Sequence, residues 1–152
     1  EFSQSMEIKS MDVLLDGKPS SFFTNPPGQV AIRIANTGNG FAQPIGKVVV
    51  SKGNKEVYSY EFNSGNGSFR GNVLPGSERT FVDDIKNIGS FGRYNVTANL
   101  ALKEGGSTIT ATKSFWVVPI WMLIVVALLF VGLIVGIIYA FTKVRAHSRN
   151  KK

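Results

Sequence analysis

The 152-residue sequence contains no cysteine and one histidine. Without thiols no disulfide can staple the fold, so a packed core must hold it. The single imidazole, His147, stands close to the C-terminus between Arg145 and Arg149. A Ser-His-Asp triad, a zinc site or a copper site elsewhere in the chain would need imidazole or thiolate groups that are not there. No catalytic residue, metal site or cofactor is assigned, and the expectation is a protein that is not an enzyme.

Charge is also missing, in one place. Ile120 to Phe141, IWMLIVVALLFVGLIVGIIYAF, runs twenty-two residues without a charged side chain, Asn, Gln, Ser or Thr. At about 1.5 Å rise per residue a helix of this length reaches roughly 33 Å, enough for a hydrocarbon layer of about 30 Å. A single transmembrane helix is expected, with 117–142 as its segment. Trp116 and Trp121 at one flank and Tyr139 at the other suit the headgroup level. After Phe141, Lys143, Arg145, Arg149, Lys151 and Lys152 follow with no acid among them, whereas the nearest cation upstream is Lys113. This asymmetry predicts a single-pass protein of the cell membrane, with 143–152 as a basic cytoplasmic tail and 1–116 outside the cell. A start at Glu1 then implies a removed export signal or a longer surface protein.

The formal charge of +7 has the same origin. The part before the helix carries twelve Lys or Arg against all ten Asp and Glu, and the tail supplies the remaining five positive charges. Membrane lipid is the expected partner of that tail, at about 1 kcal/mol per cation near an anionic surface. Nucleic acid is not expected, because no aromatic residues interleave with the cations to stack on bases.

The first 116 residues read as short strands separated by Gly, Asn, Ser and Pro clusters, the pattern of an all-β sandwich of about seven strands. Expected strands are Ser5–Leu15, Gln29–Asn36, Ile45–Lys52, Glu56–Phe62, Glu78–Val82, a long one from Gly92 and a last one over Ser107–Trp116. Phe22 and Phe23 form a short edge segment, Asn63–Asn72 a flexible loop, and Asp83–Ser90 a crossover to the other sheet. Turns are expected at Asp16-Gly17, Gly53-Asn54 and Glu104-Gly105-Gly106. In the long strand Tyr94, Val96, Ala98, Leu100 and Leu102 alternate inward. Only Val117, Val118 and Pro119 separate the last strand from the helix, which should keep the domain at the headgroup surface.

Leu74-Pro75-Gly76 before the fifth strand and Gly92-Arg93-Tyr94 entering the sixth resemble signatures of bacterial immunoglobulin-like modules. Tyr94 resembles a tyrosine corner, so Tyr94, Pro75 and Gly76 are read as fold-defining. The order VAIRIANTGN, PIGKVVV, NVLPGSERTF, FGRYNV and SFWVVP before a span with a basic tail resembles the C-terminal module of membrane-anchored surface proteins. These are the proteins that partner WxL-domain proteins in Gram-positive bacteria, with related proteins of the Saccharibacteria type. The resemblance implies binding to cell wall or to other surface proteins. Family members carry at least two extracellular modules, and one is present here.

Several residues are candidates for contact. Phe41, and Phe69 with Arg70 in the Gly-rich run, are recognition-loop candidates, since an aromatic at a loop tip can anchor a partner or tuck under its own loop. Gly132 and Gly136, extended by Ala140, form a small face on which two helices could close, as a homodimer or against another membrane subunit. Asp83-Asp84, and Asp12 with Asp16, read as solvated loop acids rather than a calcium site, because EF-hand spacing is absent. Asn66-Gly67-Ser68 and Asn95-Val96-Thr97 fit the N-glycosylation pattern and carry no meaning in a bacterial protein.

The expected function is a membrane-anchored surface protein whose immunoglobulin-like domain binds or scaffolds another surface protein, a membrane protein or a cell-wall polymer. The alternative is an accessory subunit of a multi-chain membrane enzyme complex, docked through its helix and juxtamembrane domain.

Overall fold

The structure is a computed structural model that describes residues 3–65, 68–69, 71–103 and 108–149. Arg70, the Glu104-Gly105-Gly106 turn, Asn66-Gly67, Lys151 and Lys152 lie outside the described residues, as do the side chains of Phe69, His147 and Arg149. The chain divides into two compact units, Glu1–Val118 and Pro119–Lys152.

The first unit is built from β1 (Met6–Leu15), β2 (Lys18–Ser20), β3 (Phe22–Phe23), β4 (Gln29–Asn36), β5 (Pro44–Lys52), β6 (Lys55–Phe62), β7 (Ser64–Gly65), β8 (Ser68–Phe69), β9 (Glu78–Asp84), β10 (Gly92–Leu102) and β11 (Ile109–Val117). One sheet has the order β2-β1-β4-β9, the other β3-β11-β10-β5-β6, and β7 and β8 form a small hairpin. Seven strands, β1, β4, β5, β6, β9, β10 and β11, carry the sandwich. Among these seven the chain changes sheet after β4, after β6 and again after β9, which is the immunoglobulin-like arrangement expected from the strand spacing.

Alternation drives this packing. Val30, Ile32 and Ile34 of β4 are buried, and so are Tyr94, Val96, Ala98, Leu100 and Leu102 of β10. Period-two burial on facing strands closes one apolar layer between the sheets. Rings fill its thickest parts. Tyr94 stacks on Phe115 with centroids 5.4 Å apart, Phe23 meets Phe115 edge-on at 5.9 Å, and Phe62 meets Phe81 at 5.0 Å. Phe23 has a second role. It sits on β3, which leaves the first sheet and pairs in parallel with the end of β11, so that Phe22 lies beside Trp116 and Phe23 beside Val117.

Turn chemistry sets the connections. Asp16 (φ 51°) and Gly17 (φ 75°) link β1 to β2 with both residues left-handed, the type I′ geometry that suits a twisted hairpin. At Leu74–Ser77 the Ser77 amide donates to the Leu74 carbonyl at 3.1 Å across Pro75 and Gly76. Gly76 takes φ 67° there, the requirement of a type II turn.

Three expectations are corrected. The run from Asn63 is not simply a loop: Asn63 is fully buried, and β7 and β8 pair just after it. Its Nδ2 donates to the carbonyls of Pro44 and Gly71, both at 2.9 Å, and its φ of 58° uses the tolerance of Asn for left-handed backbone. Next, β9 runs on to Asp84 and β11 spans Ile109–Val117, because both keep pairing with a longer neighbour.

The second unit is one helix, α1, over Ile120–Arg149. It continues past Phe141 into the basic residues. Thr142 to Arg149 contains neither Gly nor Pro, and cations near a helix C-terminus complement its dipole. Ile120–Arg145 is long and apolar enough to cross a membrane, and none of its most apolar window is buried by the protein. Each Leu, Ile, Val or Phe left in water forfeits about 1.5–3 kcal/mol, so lipid is the solvent this helix fits.

Candidate functional site

The strand directions give the sandwich two ends. At one, β11 finishes at Val117. At the other lie the loops 37–43 and 63–77, and there the exposed apolar groups are fixed by buried amides.

Ala42 and Val73 form an isolated antiparallel bridge, with N–H···O distances of 3.0 and 2.8 Å in the two directions. Both side chains are buried, whereas Phe41 is 61% and Leu74 57% exposed. An antiparallel register sets these two flanking residues next to each other on the outward side. Phe41 therefore does not tuck under its own loop.

Asn36 makes this platform stiff. Its buried Nδ2 donates to the carbonyls of Gly40 (2.7 Å) and Val73 (2.9 Å), and its Oδ1 accepts from the Gly38 amide (2.9 Å). The backbone of the same residue pairs with Gly76 and Ser77, tying in the Leu74-Pro75-Gly76 turn. One side chain thus joins both loops, and Asn63 secures the second from below. Sequence reasoning missed Asn36, Asn63 and Leu74. The signal was a single Asn closing the clearest strand directly before Thr37-Gly38-Asn39-Gly40.

At the Val117 end, Tyr94 lies in the core and its hydroxyl accepts a hydrogen bond from the Gly89 amide at 3.0 Å. Trp116 is exposed, with the Arg93 guanidinium 6.0 Å from its ring. Along the outer face of the second sheet, Ser114 donates to Asn95 at 2.6 Å, Thr97 and Thr112 share a bond of 3.3 Å, and Thr110 donates to Asn99 at 2.8 Å. Asn95 is thus engaged in an uncharged polar ladder.

The carboxylates do not converge. Asp83 and Asp84 are successive residues of β9 and face opposite ways, and Asp84 accepts from Gln29 at 3.1 Å. Asp12 faces Lys113 at 4.0 Å, across the open edge between β1 and β11, which explains a cation in the inward row of β11. Asp16 stays in its turn. No group of three or more His, Cys, Asp or Glu gathers among the described residues. On the exposed side of β1, Lys9 donates to Glu7 at 2.9 Å, and this bond with the Glu7 charge holds its pKa above the ordinary lysine value.

On α1, a Cβ at Gly132 or Gly136 would meet nothing within 4 Å, and Ala140 is exposed one turn on. Trp121, Tyr139, Lys143 and Arg145 are exposed as well, and the Lys143 ammonium lies 5.9 Å from the Tyr139 ring centre.

No protein-family model matches the chain, and no curated protein matches it. Solved structures are similar in fold. The C-terminal domain of wzt aligns with a TM-score of 0.54 at 12% identity, over 77% of this chain and 78% of that one. The ApaA protein of Bordetella pertussis aligns at 0.41 and 16% identity, over 78% of this chain and 94% of that one. A beta-glucosidase of Kluyveromyces marxianus aligns at 0.41 and 15% identity, over 76% of this chain but only 14% of its own length. What the chain shares with the first of these is architecture: an immunoglobulin-like β-sandwich, here followed by one apolar helix.

Proposed function

We propose that this chain is a single-pass membrane protein that displays a non-enzymatic binding or scaffolding domain on the outer face of the cell. Its partner is another surface protein or a cell-wall component, as in the surface-protein group the sequence resembles. One observation carries this reading: Phe41 and Leu74 form an exposed apolar pair at the sandwich end remote from Val117, on loops locked by Asn36. A rigid aromatic anchor loses little freedom on binding, which is why such residues dominate interfaces. The asymmetry of the cations supports the orientation.

The test is capture by the full chain in mild detergent, wild type against Phe41→Ser/Leu74→Ser. The double variant should lose a soluble or secreted partner by tenfold or more, with unfolding free energy changed by no more than about 0.5 kcal/mol. Undiminished capture would exclude the tip.

The small face of Gly132, Gly136 and Ala140 favours a second reading, an accessory subunit docked through its helix. A polytopic membrane partner that survives the tip variant and is lost in Gly132→Leu/Gly136→Leu would favour it. Unchanged oligomeric state and partners in the helix variant would remove any role for that face.

A further inference from the structure

Three large aromatic side chains gather at the Val117 end of the sandwich without burial. Phe22 on β3 is 49% exposed, Phe91 before β10 48%, and Trp116 on β11 46%. They come from three distant parts of the chain, yet Phe22 and Trp116 are direct neighbours across the parallel pair, and Arg93 pairs with Trp116 across β10 and β11. Cations accompany them. The Arg93 guanidinium lies over Trp116 at 6.0 Å. Lys52 donates to the Phe91 carbonyl at 2.7 Å and lies 6.0 Å from the Phe91 ring centre. The acids of this end stand apart: Asp16 lies in the turn between β1 and β2, Asp83 and Asp84 belong to β9 of the first sheet, and Glu56 faces Lys47 at 4.0 Å.

Half-exposed rings beside Arg and Lys have the composition of a membrane–water interface, where aromatic rings sit at headgroup depth and cations meet phosphates. Only Val118 and Pro119 separate β11 from α1, and the three residue steps from Val117 to Ile120 reach at most about 11 Å. A bilayer that holds α1 is thereby tethered to this end. We propose that the Val117 end is a lipid-contact face on which Phe22, Phe91 and Trp116 enter the headgroup layer while Arg93 and Lys52 take lipid phosphates. The proposal rests on α1 spanning the membrane, and it assigns lipid binding to the folded domain itself.

The test uses the full chain in phosphatidylcholine vesicles, with and without phosphatidylglycerol. The sequence has two tryptophans, so Trp116→Phe/Trp121→Phe gives a silent background. Into it go Phe91→Trp or, as the remote control, Phe41→Trp, while Trp116→Phe alone leaves Trp121 as reporter of the span. Lipids brominated near the headgroup should quench Phe91→Trp several-fold more than Phe41→Trp, and aqueous acrylamide should show the reverse order. Adding Arg93→Gln should cut the extra quenching that phosphatidylglycerol brings by about half. If Trp121 is quenched by lipid while Phe91→Trp behaves like Phe41→Trp, the lipid-contact face is wrong and the span stands. If Trp121 is not quenched either, the span itself is wrong and the proposal falls with it.

Discussion

Tyr94 and Asn36 show how single polar groups decide loop positions here. The Tyr94 hydroxyl fixes the 85–91 crossover through one bond to Gly89. Tyr94→Phe should lower the unfolding free energy by about 1 kcal/mol with the urea dependence unchanged, because one bond is lost and the ring stays. Asn36 is costlier to replace. Asn36→Ala leaves the Gly40 carbonyl and the Gly38 amide without this partner and takes one of two donors from the Val73 carbonyl, and should cost about 3 kcal/mol. Asn36→Asp should be worse at neutral pH, since a carboxylate would face two carbonyls. Burial beside those oxygens raises the folded-state pKa of the new acid above the unfolded value of about 3.9, so the penalty grows as pH rises above that value. Denaturation at about pH 4 and pH 7 checks this, because the loss relative to wild type should shrink in acid, where a protonated carboxyl can donate again.

Among the elements, those with strong periodicity were legible in the sequence. β4 occupies the expected Gln29–Asn36, the inward row of β10 is the expected one, and α1 begins at the expected Ile120. Each rests on a local pattern of period two or on an unbroken apolar run. What escaped was non-local. The parallel pairing of Phe22 and Phe23 with β11 joins segments that no window contains, and the neighbourhood of Phe41 and Leu74 exists only because Ala42 bridges Val73. Asn36 and Asn63 escaped for a different reason. A polar residue in a Gly- and Asn-rich run reads as solvated, whereas here the surrounding loops bury each amide and turn carbonyls onto its Nδ2, Gly40 and Val73 for Asn36 and Pro44 and Gly71 for Asn63. Pairing across β3 and β11 also has a mechanical consequence. Phe23→Ala should cost about 3–5 kcal/mol, as a ring is removed from between Phe115 and the sheet edge, and loosening should show first as faster amide exchange at Trp116 and Val118, which bond to Ser21 and Phe23.

For the whole molecule, the central claim is that α1 crosses the membrane, with the sandwich outside and the basic terminus inside. Because the chain has no cysteine, one introduced thiol reports one position. Glu61→Cys, exposed on β6, and a cysteine appended after Lys152 place such reporters on the two sides. The measurement is labelling with a membrane-impermeant maleimide on intact cells and again after permeabilisation. The expected result is that Glu61→Cys labels fully in intact cells and the appended cysteine only after permeabilisation. Labelling of the appended cysteine in intact cells, or protection of Glu61→Cys until the membrane is opened, would contradict the claim.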